Sequence, residues 1–312
     1  MIVRVAAVSD EIAVSVRGLH KNYGEFEAVR GIDLEVRSGE IFAFLGPNGA
    51  GKTTTVEILE GYRKATSGEV SVLGRDPQKG DSGWRARLGI VLQSCDLQPE
   101  LTVRETLQQY AGYYPHPRPV DETIEQVGLA EKADVRAGKL SGGQKRRTDV
   151  ALALIGDPDL IFLDEPTTGF DPSARHQAWK VIENLKSLGK TVFLTTHYMD
   201  EAQTLADRVA VIQGGKIVAT GTPDDIGGRS SGATTIRFAL PAGRTTADLP
   251  SIGSGYQQQG GYVHVDSPNP TADLHTLTGW AIENSIELLE LEAELPSLEQ
   301  VYLELTSKAA SA

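Results

Sequence analysis

The chain has 312 residues, 40% of them hydrophobic and 23% charged, the balance of a globular protein with enough apolar side chains for one large domain and a smaller one. Its 30 Lys and Arg against 42 Asp and Glu leave a net charge of −12, which argues against a sequence-independent grip on nucleic acid, because phosphate neutralisation needs clustered cations. The single cysteine, Cys95, cannot close an intrachain disulfide and fits a reducing compartment, and no apolar run approaches the roughly 18 to 20 residues that cross a bilayer.

The opening MIVRVAAVSDEI holds a short apolar segment broken by Arg4 and ended by Asp10 and Glu11, so it reads as a leader into the first strand, not a secretory signal. From Ile12 to Val36, IAVSVRGL and GIDLEV alternate as half-buried antiparallel strands joined through NYGEF. IFAFL at 41–45 is apolar throughout, as a strand covered on both faces would be, and runs through a glycine-rich loop into the helix-like KTTTVEILEG. The next part turns helical, with TVRETLQQYAGYY and VDETIEQVGL separated by PHPRP; the helical insertion is placed at about 94–155. LIFLD at 160–164 and TVFLTTH at 191–197 read as further buried strands, alternating with ARHQAWKVIENLKSLG, which implies a parallel α/β sheet. RVAVIQGGKIVATGT reads as a hairpin turning at Gly214 and Gly215. The first domain is therefore set at 1–226 and a linker at 227–232, GGRSSG. Beyond it, over 233–312, TIRFAL, YVHV and IELLELEAEL suggest strands, and TADLHTLTGWAIEN and PSLEQVYLELT suggest helices, a small α+β domain.

Three segments carry chemistry. Gly46, Pro47, Asn48, Gly49, Ala50, Gly51, Lys52 and Thr53 fit GxxxxGK[ST] between a strand and a helix. Glycines let the backbone curl around phosphate, amide N–H groups and the helix N-terminus face it, Lys52 reaches the β and γ phosphates, and the Thr53 hydroxyl is free for Mg²⁺. Asp164 ends an apolar strand and Glu165 follows it, at the strand end where parallel sheets place ligands. The paired carboxylates suit a division of work: Asp164 holds Mg²⁺, directly or through water, and Glu165 positions and polarises the attacking water. His197, closing a third buried strand, is a candidate γ-phosphate sensor, and Gln93 a neutral side chain able to orient Mg²⁺ or water. The third segment is LSGGQ. Ser141 supplies a hydroxyl, Gly142 and Gly143 expose amides, and a helix starts there, making a second anion-binding surface. Two such surfaces for one nucleotide would be redundant, so one is expected to serve the ATP of a partner.

With LSGGQKRR at 140–147 lying between GPNGAGKTT and DLIFLDEPTTGFD, the chain resembles the nucleotide-binding subunits of ABC transporters across about residues 12–226. The resemblance implies a P-loop, RecA-like α/β core with an antiparallel β subdomain and a helical insertion, followed here by the small α+β domain. It implies that Tyr23 stacks on adenine, that Gly46 to Thr54 form the phosphate loop, that Gln93 is the Q-loop glutamine, and that His197 is the switch histidine. Asp164 and Glu165 match the Walker B pair, Asp171 the D-loop, and Leu140 to Gln144 the signature, with Ser141, Gly142, Gly143, Gln144 and Asp171 acting in trans in a head-to-tail homodimer around ATP and Mg²⁺. TTGFDPSAR, TTHYMDEA and PSLEQVYLELT look like the ATPases of ABC-2 type exporters, particularly the daunorubicin-resistance group, although Gln300 and Tyr302 stand where that group more often has Asp and Phe. That implies an ATPase at the cytoplasmic face of the cell membrane that drives export of a drug-like, lipid or polysaccharide substrate through a separate permease, with no nucleic-acid partner. The permease contact is expected near Gln93 to Pro115, with Leu97, Leu101, Tyr110, Tyr113 and Tyr114 as candidate surface. The alternative is a soluble ABC ATPase acting on nucleic acid or ribosomes.

Overall fold

The computed structural model describes residues 11–92, 97–226, 234–241, 243–295, 298 and 302. The chain divides into two compact units, Met1–Pro223 and Asp224–Ala312.

In the first unit the alternating segments pair as read. β1 (Ile12–Tyr23) and β2 (Phe26–Arg37) run antiparallel, with Tyr23 opposite Phe26 across the Gly24–Glu25 turn. β4 (Ser67–Val72) adds to the other side of β1, giving the order β2-β1-β4. Valines and leucines of β1 and β2 point inward on one side and charged residues outward, the pattern of a sheet with one wet face.

The second sheet has six strands in the order β5-β6-β7-β3-β8-β9. β3 (Ile41–Leu45), β5 (Leu88–Val91), β6 (Leu160–Asp164), β7 (Thr191–Thr196) and β8 (Arg208–Gln213) are parallel, and β9 (Lys216–Gly221) returns antiparallel through Gly214 and Gly215. β3 and β7 are wholly buried because both faces are covered. Successive side chains enter two different cores. Phe42, Phe44, Phe162 and Phe193 join residues of β1, β2 and α1 (Lys52–Leu59) on one side. Ile41, Ile161, Leu163, Val192 and Leu194 meet α3 (Val103–Ala111), α4 (Val120–Gln126), α5 (Gly142–Leu154) and α6 (Pro172–Ser187) on the other. Short α2 (Ser82–Ala86) closes the first core with Trp84, and α7 (Met199–Leu205) contributes Leu205 to the second. The Phe193 ring lies 5.6, 5.8 and 5.6 Å from those of Phe42, Phe44 and Phe162, an aromatic knot under the ends of three strands.

The helix read over TVRETLQQYAGYY covers only nine residues: Thr102 and Glu105 start it with a capping box, and it stops at Gly112. TVFLTTH likewise ends one residue early, leaving His197 in the turn before α7.

The second unit is a four-stranded antiparallel sheet, β11-β12-β10-β13, from β10 (Thr234–Ala239), β11 (Tyr256–Gln259), β12 (Tyr262–Ser267) and β13 (Leu289–Glu294), with α8 (Pro270–Glu283). Ile236, Phe238, Val263, Val265 and Leu277 form its core. The residues of the expected linker 227–232 and nearly all of PSLEQVYLELT lie outside the described residues.

Candidate functional site

The strand order places β6, β7 and β3 side by side, so their C-terminal ends deliver Asp164, the Thr196–His197 turn and the Gly46 loop to one edge. Beside that edge lies a cleft of about 410 Å³ lined by Tyr23, Phe26, Pro47, Asn48, Gly49, Gly51, Lys52, Thr53, Thr54, Asp164 and Glu165, with Ala28. A hollow of about 470 Å³ beside β4, between Lys64 and Gln78, brings none of these groups together.

The loop can only be built from small residues. Gly51 has φ +108° and caps α1, and a side chain there would stand 2.7 Å from the carbonyl oxygen of Ala28; one on Gly46 would collide with that of Ile212. No side chain caps α1, so its first-turn N–H groups are left for an anion. Lys52 is buried and folds back on its own loop, its Nζ donating to the carbonyls of Gly46 at 2.7 Å and Pro47 at 3.3 Å. Gly46 and Ala50 are buried beneath the loop, and Asn48, Gly49 and Thr53 are exposed to the cleft.

Glu165 stands at the centre of the charges. Its Oε1 lies 3.5 Å from Lys52 Nζ and 3.2 Å from His197 Nδ1, and Thr168 Oγ1 donates to Oε2 at 3.2 Å. The His197 approach is close but off hydrogen-bond alignment, so Nδ1 is buried without an aligned bond of its own. Burial works to raise the Glu165 carboxyl, but His197, Lys52 and Thr168 together hold it below the usual carboxylate range, so it is ionised at neutral pH. Its backbone is left-handed at φ +44°, and its N–H is shared between the carbonyl and hydroxyl oxygens of Thr195, both at 3.1 Å.

Three neighbours escape a reading of the sequence. Thr195, next to Asp164 across β6 and β7, donates its hydroxyl to Asp164 Oδ1; its signal is the buried threonine pair that follows the apolar VFL of β7. Arg146, from QKRR, is buried and donates Nη2 to the Asp164 carbonyl at 2.8 Å, Nε to that of Pro166 at 3.2 Å, and Nη1 to that of Leu92. Phe26 is 61% exposed beside Tyr23, itself 41% exposed, so two aromatic faces flank the cleft mouth; only the hairpin register shows that they share a side. Gln93 lies outside the described residues.

Ser141, Gly142, Gly143, Gln144 and Asp171 do not line this cleft. Ser141 caps α5 in a capping box with Gln144, Asp171 caps α6 by accepting from the Ala174 N–H at 2.9 Å, and a Cβ on Gly143 would meet that of Ala174 at 3.5 Å. The two helix starts are exposed, and their capping residues Ser141 and Asp171 stand outside the lining of the cleft.

Comparison with known proteins gives the family. Residues 29–168 match the model of the ABC transporter family, and residues 234–297 that of the ABC transporter domain-containing protein-like C-terminal domain. A Nod factor export ATP-binding protein I of Burkholderia lata is 36% identical over 304 residues, covering 95% of this chain and 97% of the relative. The chain belongs to the ABC transporter ATP-binding family. A daunorubicin resistance ATP-binding protein DrrA3 of Streptomyces coeruleorubidus is 34% identical over 304 residues, 95% of this chain and 96% of that protein. The dimeric post-hydrolysis state of the ATP-binding cassette MJ0796 bound to ADP and Pi superposes with a TM-score of 0.59 at 26% identity, covering 67% of this chain and 98% of that one. This cassette is a nucleotide-binding ATPase. Among its described residues no helix is long and apolar enough to cross a membrane.

Proposed function

We propose that this cassette is the ATP-hydrolysing subunit of an ABC-2 type exporter, working as a homodimer on the cytoplasmic face of the membrane against a separate permease. One observation carries the dimer: the cleft gathers Lys52, Thr53, Asp164 and Glu165, while Ser141 and Asp171, each capping an exposed helix start, are not among its lining residues. Each cleft is completed by the signature helix of the other chain, with Ser141 and the amides of Gly142 and Gly143 on its γ-phosphate.

In the occupied cleft Tyr23 lies on adenine, the amides of Gly49 to Thr54 cradle the phosphates, and Lys52 exchanges its loop carbonyls for the β and γ oxygens. The exposed Thr53 hydroxyl and the Asp164 carboxylate are hard oxygen donors on one cleft, the kind Mg²⁺ takes alongside phosphates and water; Gln93 is the third expected donor. The ion neutralises charge on the phosphates when bound. Glu165 accepts the hydrogen bond of the attacking water, which forms the new O–P bond as the bond from Pγ to the bridging oxygen breaks and ADP leaves. His197 orients the γ-phosphate.

A groove of the helical insertion, lined by Leu97, Leu101, Tyr110 and Tyr113, offers the permease contact, with Tyr113 73% exposed. Tyr114, like Leu97, is half-buried against the core, its ring filling the place a side chain on Gly156 would take. Relatives named for Nod factor export and for daunorubicin resistance support an exported cargo, drug-like, lipid or polysaccharide in class. Residues 1–226 form the ATP-binding domain and 233–312 an accessory domain of packing, regulatory or assembly role.

Mixing Ser141→Arg with Lys52→Ala subunits tests the sandwich. A mixed dimer holds one site carrying both lesions and one carrying neither, so hydrolysis should recover to about half the parent rate per dimer where each variant alone is inactive. No recovery in verified mixed dimers overturns it.

A further inference from the structure

The His197 ring is a third exposed, its Nδ1 makes no aligned hydrogen bond, and rotation about its second side-chain torsion is broad, so hydrogen bonding does not set its orientation. Packing does. The ring lies 4.1 Å from that of Tyr198, tilted by 39°, and the other neighbour of Tyr198 is the Arg175 guanidinium, whose Cζ stands 4.5 Å from the ring centroid. Arg175 is in turn held by Asp200, to which Nη1 donates at 3.1 Å, and its Nε is buried without a hydrogen bond, the mark of a plane placed for stacking more than for saturating its donors. Tyr198 is anchored at its own backbone, where its N–H donates to Thr196 Oγ1 at 3.0 Å.

Behind this stack the fully buried Glu201 of α7 accepts from Thr167 Oγ1 at 2.7 Å and Trp179 Nε1 at 3.1 Å, fixing α7 to α6 and to the loop that follows Glu165. The row His197, Tyr198, Arg175 thus runs from beside the Glu165 carboxylate to the first turn of α6, the helix that Asp171 caps. We propose that Tyr198, backed by Arg175, is a positioning residue that aims the His197 imidazole at the reacting phosphate and ties that aim to the position of the α6 N-terminus. It rests on the role given to His197 above. Tyr198 acts through its ring face, so its hydroxyl is dispensable.

The test is steady-state ATP hydrolysis by the full chain carrying Tyr198→Ala, Tyr198→Phe or Arg175→Leu, each in the parent and in a His197→Ala background. Tyr198→Ala should lower kcat about tenfold, the scale of one lost aromatic stack, with KM for ATP unchanged within about twofold; Tyr198→Phe should restore the parent rate, and Arg175→Leu should fall between them. In the His197→Ala background none of the three should lower kcat further. Losses that multiply with that of His197→Ala, or a Tyr198→Phe variant as slow as Tyr198→Ala, overturn the proposal. Should Tyr198→Ala fail to fold, Arg175→Leu carries the same comparison with the stacking tyrosine in place. A His197→Ala chain that hydrolyses at the parent rate overturns the role of His197 itself, and is distinguished from failure of the inference because it needs no change at Tyr198.

Discussion

Glu165 combines two properties that are expensive separately. A non-glycine residue at φ +44° costs on the order of 1–3 kcal/mol, and the two acceptor oxygens of Thr195 on its N–H offset part of that. The left-handed turn keeps its carboxylate close to Lys52 and His197. Glu165→Gln keeps the shape and removes the charge, so it should retain nucleotide while turnover falls by about 10²–10³; equilibrium dialysis with ATP and phosphate release measure the two, and near-normal release would sink the assignment. Glu60, just beyond α1, behaves in the opposite way. Burial first, then the charges of Asp164 and Glu57, push it up to about 8. The folded state therefore binds its proton more tightly than the unfolded chain, whose carboxyl titrates near 4.5, so its contribution is full below about 4.5 and is lost as pH rises to about 8. Glu60→Gln should flatten that part of the stability curve, seen in urea midpoints taken at pH 5 and pH 8 without nucleotide or divalent cation.

At the scale of elements, the site is only as well placed as the three strand ends beneath it. Phe193 touches three other rings, and its truncation would leave a void directly below the strands that deliver the phosphate loop and Asp164. Phe193→Ala should cost about 3–5 kcal/mol of stability, read from denaturant midpoints, and weaken ATP binding along with it. Loss of stability below 1 kcal/mol would show that the knot can collapse around the gap. The buried strands β3, β6 and β7 were evident from their unbroken apolar runs, whereas β4 and β11 were not. SGEVSV and YQQQ are edge strands with few apolar positions, and pairing with β1 and β12 decides their state more than their own pattern does. Helix α3 starts at the expected place, at the Thr102–Glu105 capping box, but came out shorter than its periodicity suggested, ending at Gly112.

For the whole molecule, the proposed division of the site between two chains would make activity a property of the assembly. A cleft with Lys52, Asp164 and Glu165 on one surface and Ser141 and Asp171 on another should hydrolyse ATP faster per chain as concentration rises through the dimer range. The permease assignment makes a separate demand. The chain should sediment with membranes only when its permease is co-expressed, and substitutions of Tyr110 and Tyr113 should release it without altering ATP binding; association with ribosomes in the absence of a permease would favour the nucleic-acid alternative. The acidic balance of −12 is consistent with docking through apolar side chains in place of a basic face.

The glycine-rich loop after β3, the adjacent carboxylates at the end of β6, the serine that starts α5 and the hairpin at Gly214 and Gly215 were all legible in the sequence, because each is a contiguous segment marked by residue types at fixed short spacing. What the tertiary structure alone decided is which distant polar groups meet. Thr195 reaches Asp164, Arg146 gathers the carbonyls of Leu92, Asp164 and Pro166, and Arg175 stacks on Tyr198, through contacts across neighbouring strands and helices. Tyr114 turned inward for the same reason, filling the space left by Gly156. Hydrophobic periodicity tells each element which face to bury but carries no record of strand order or helix placement, and the pairing of β6 with β7 is what sets Thr195 beside Asp164.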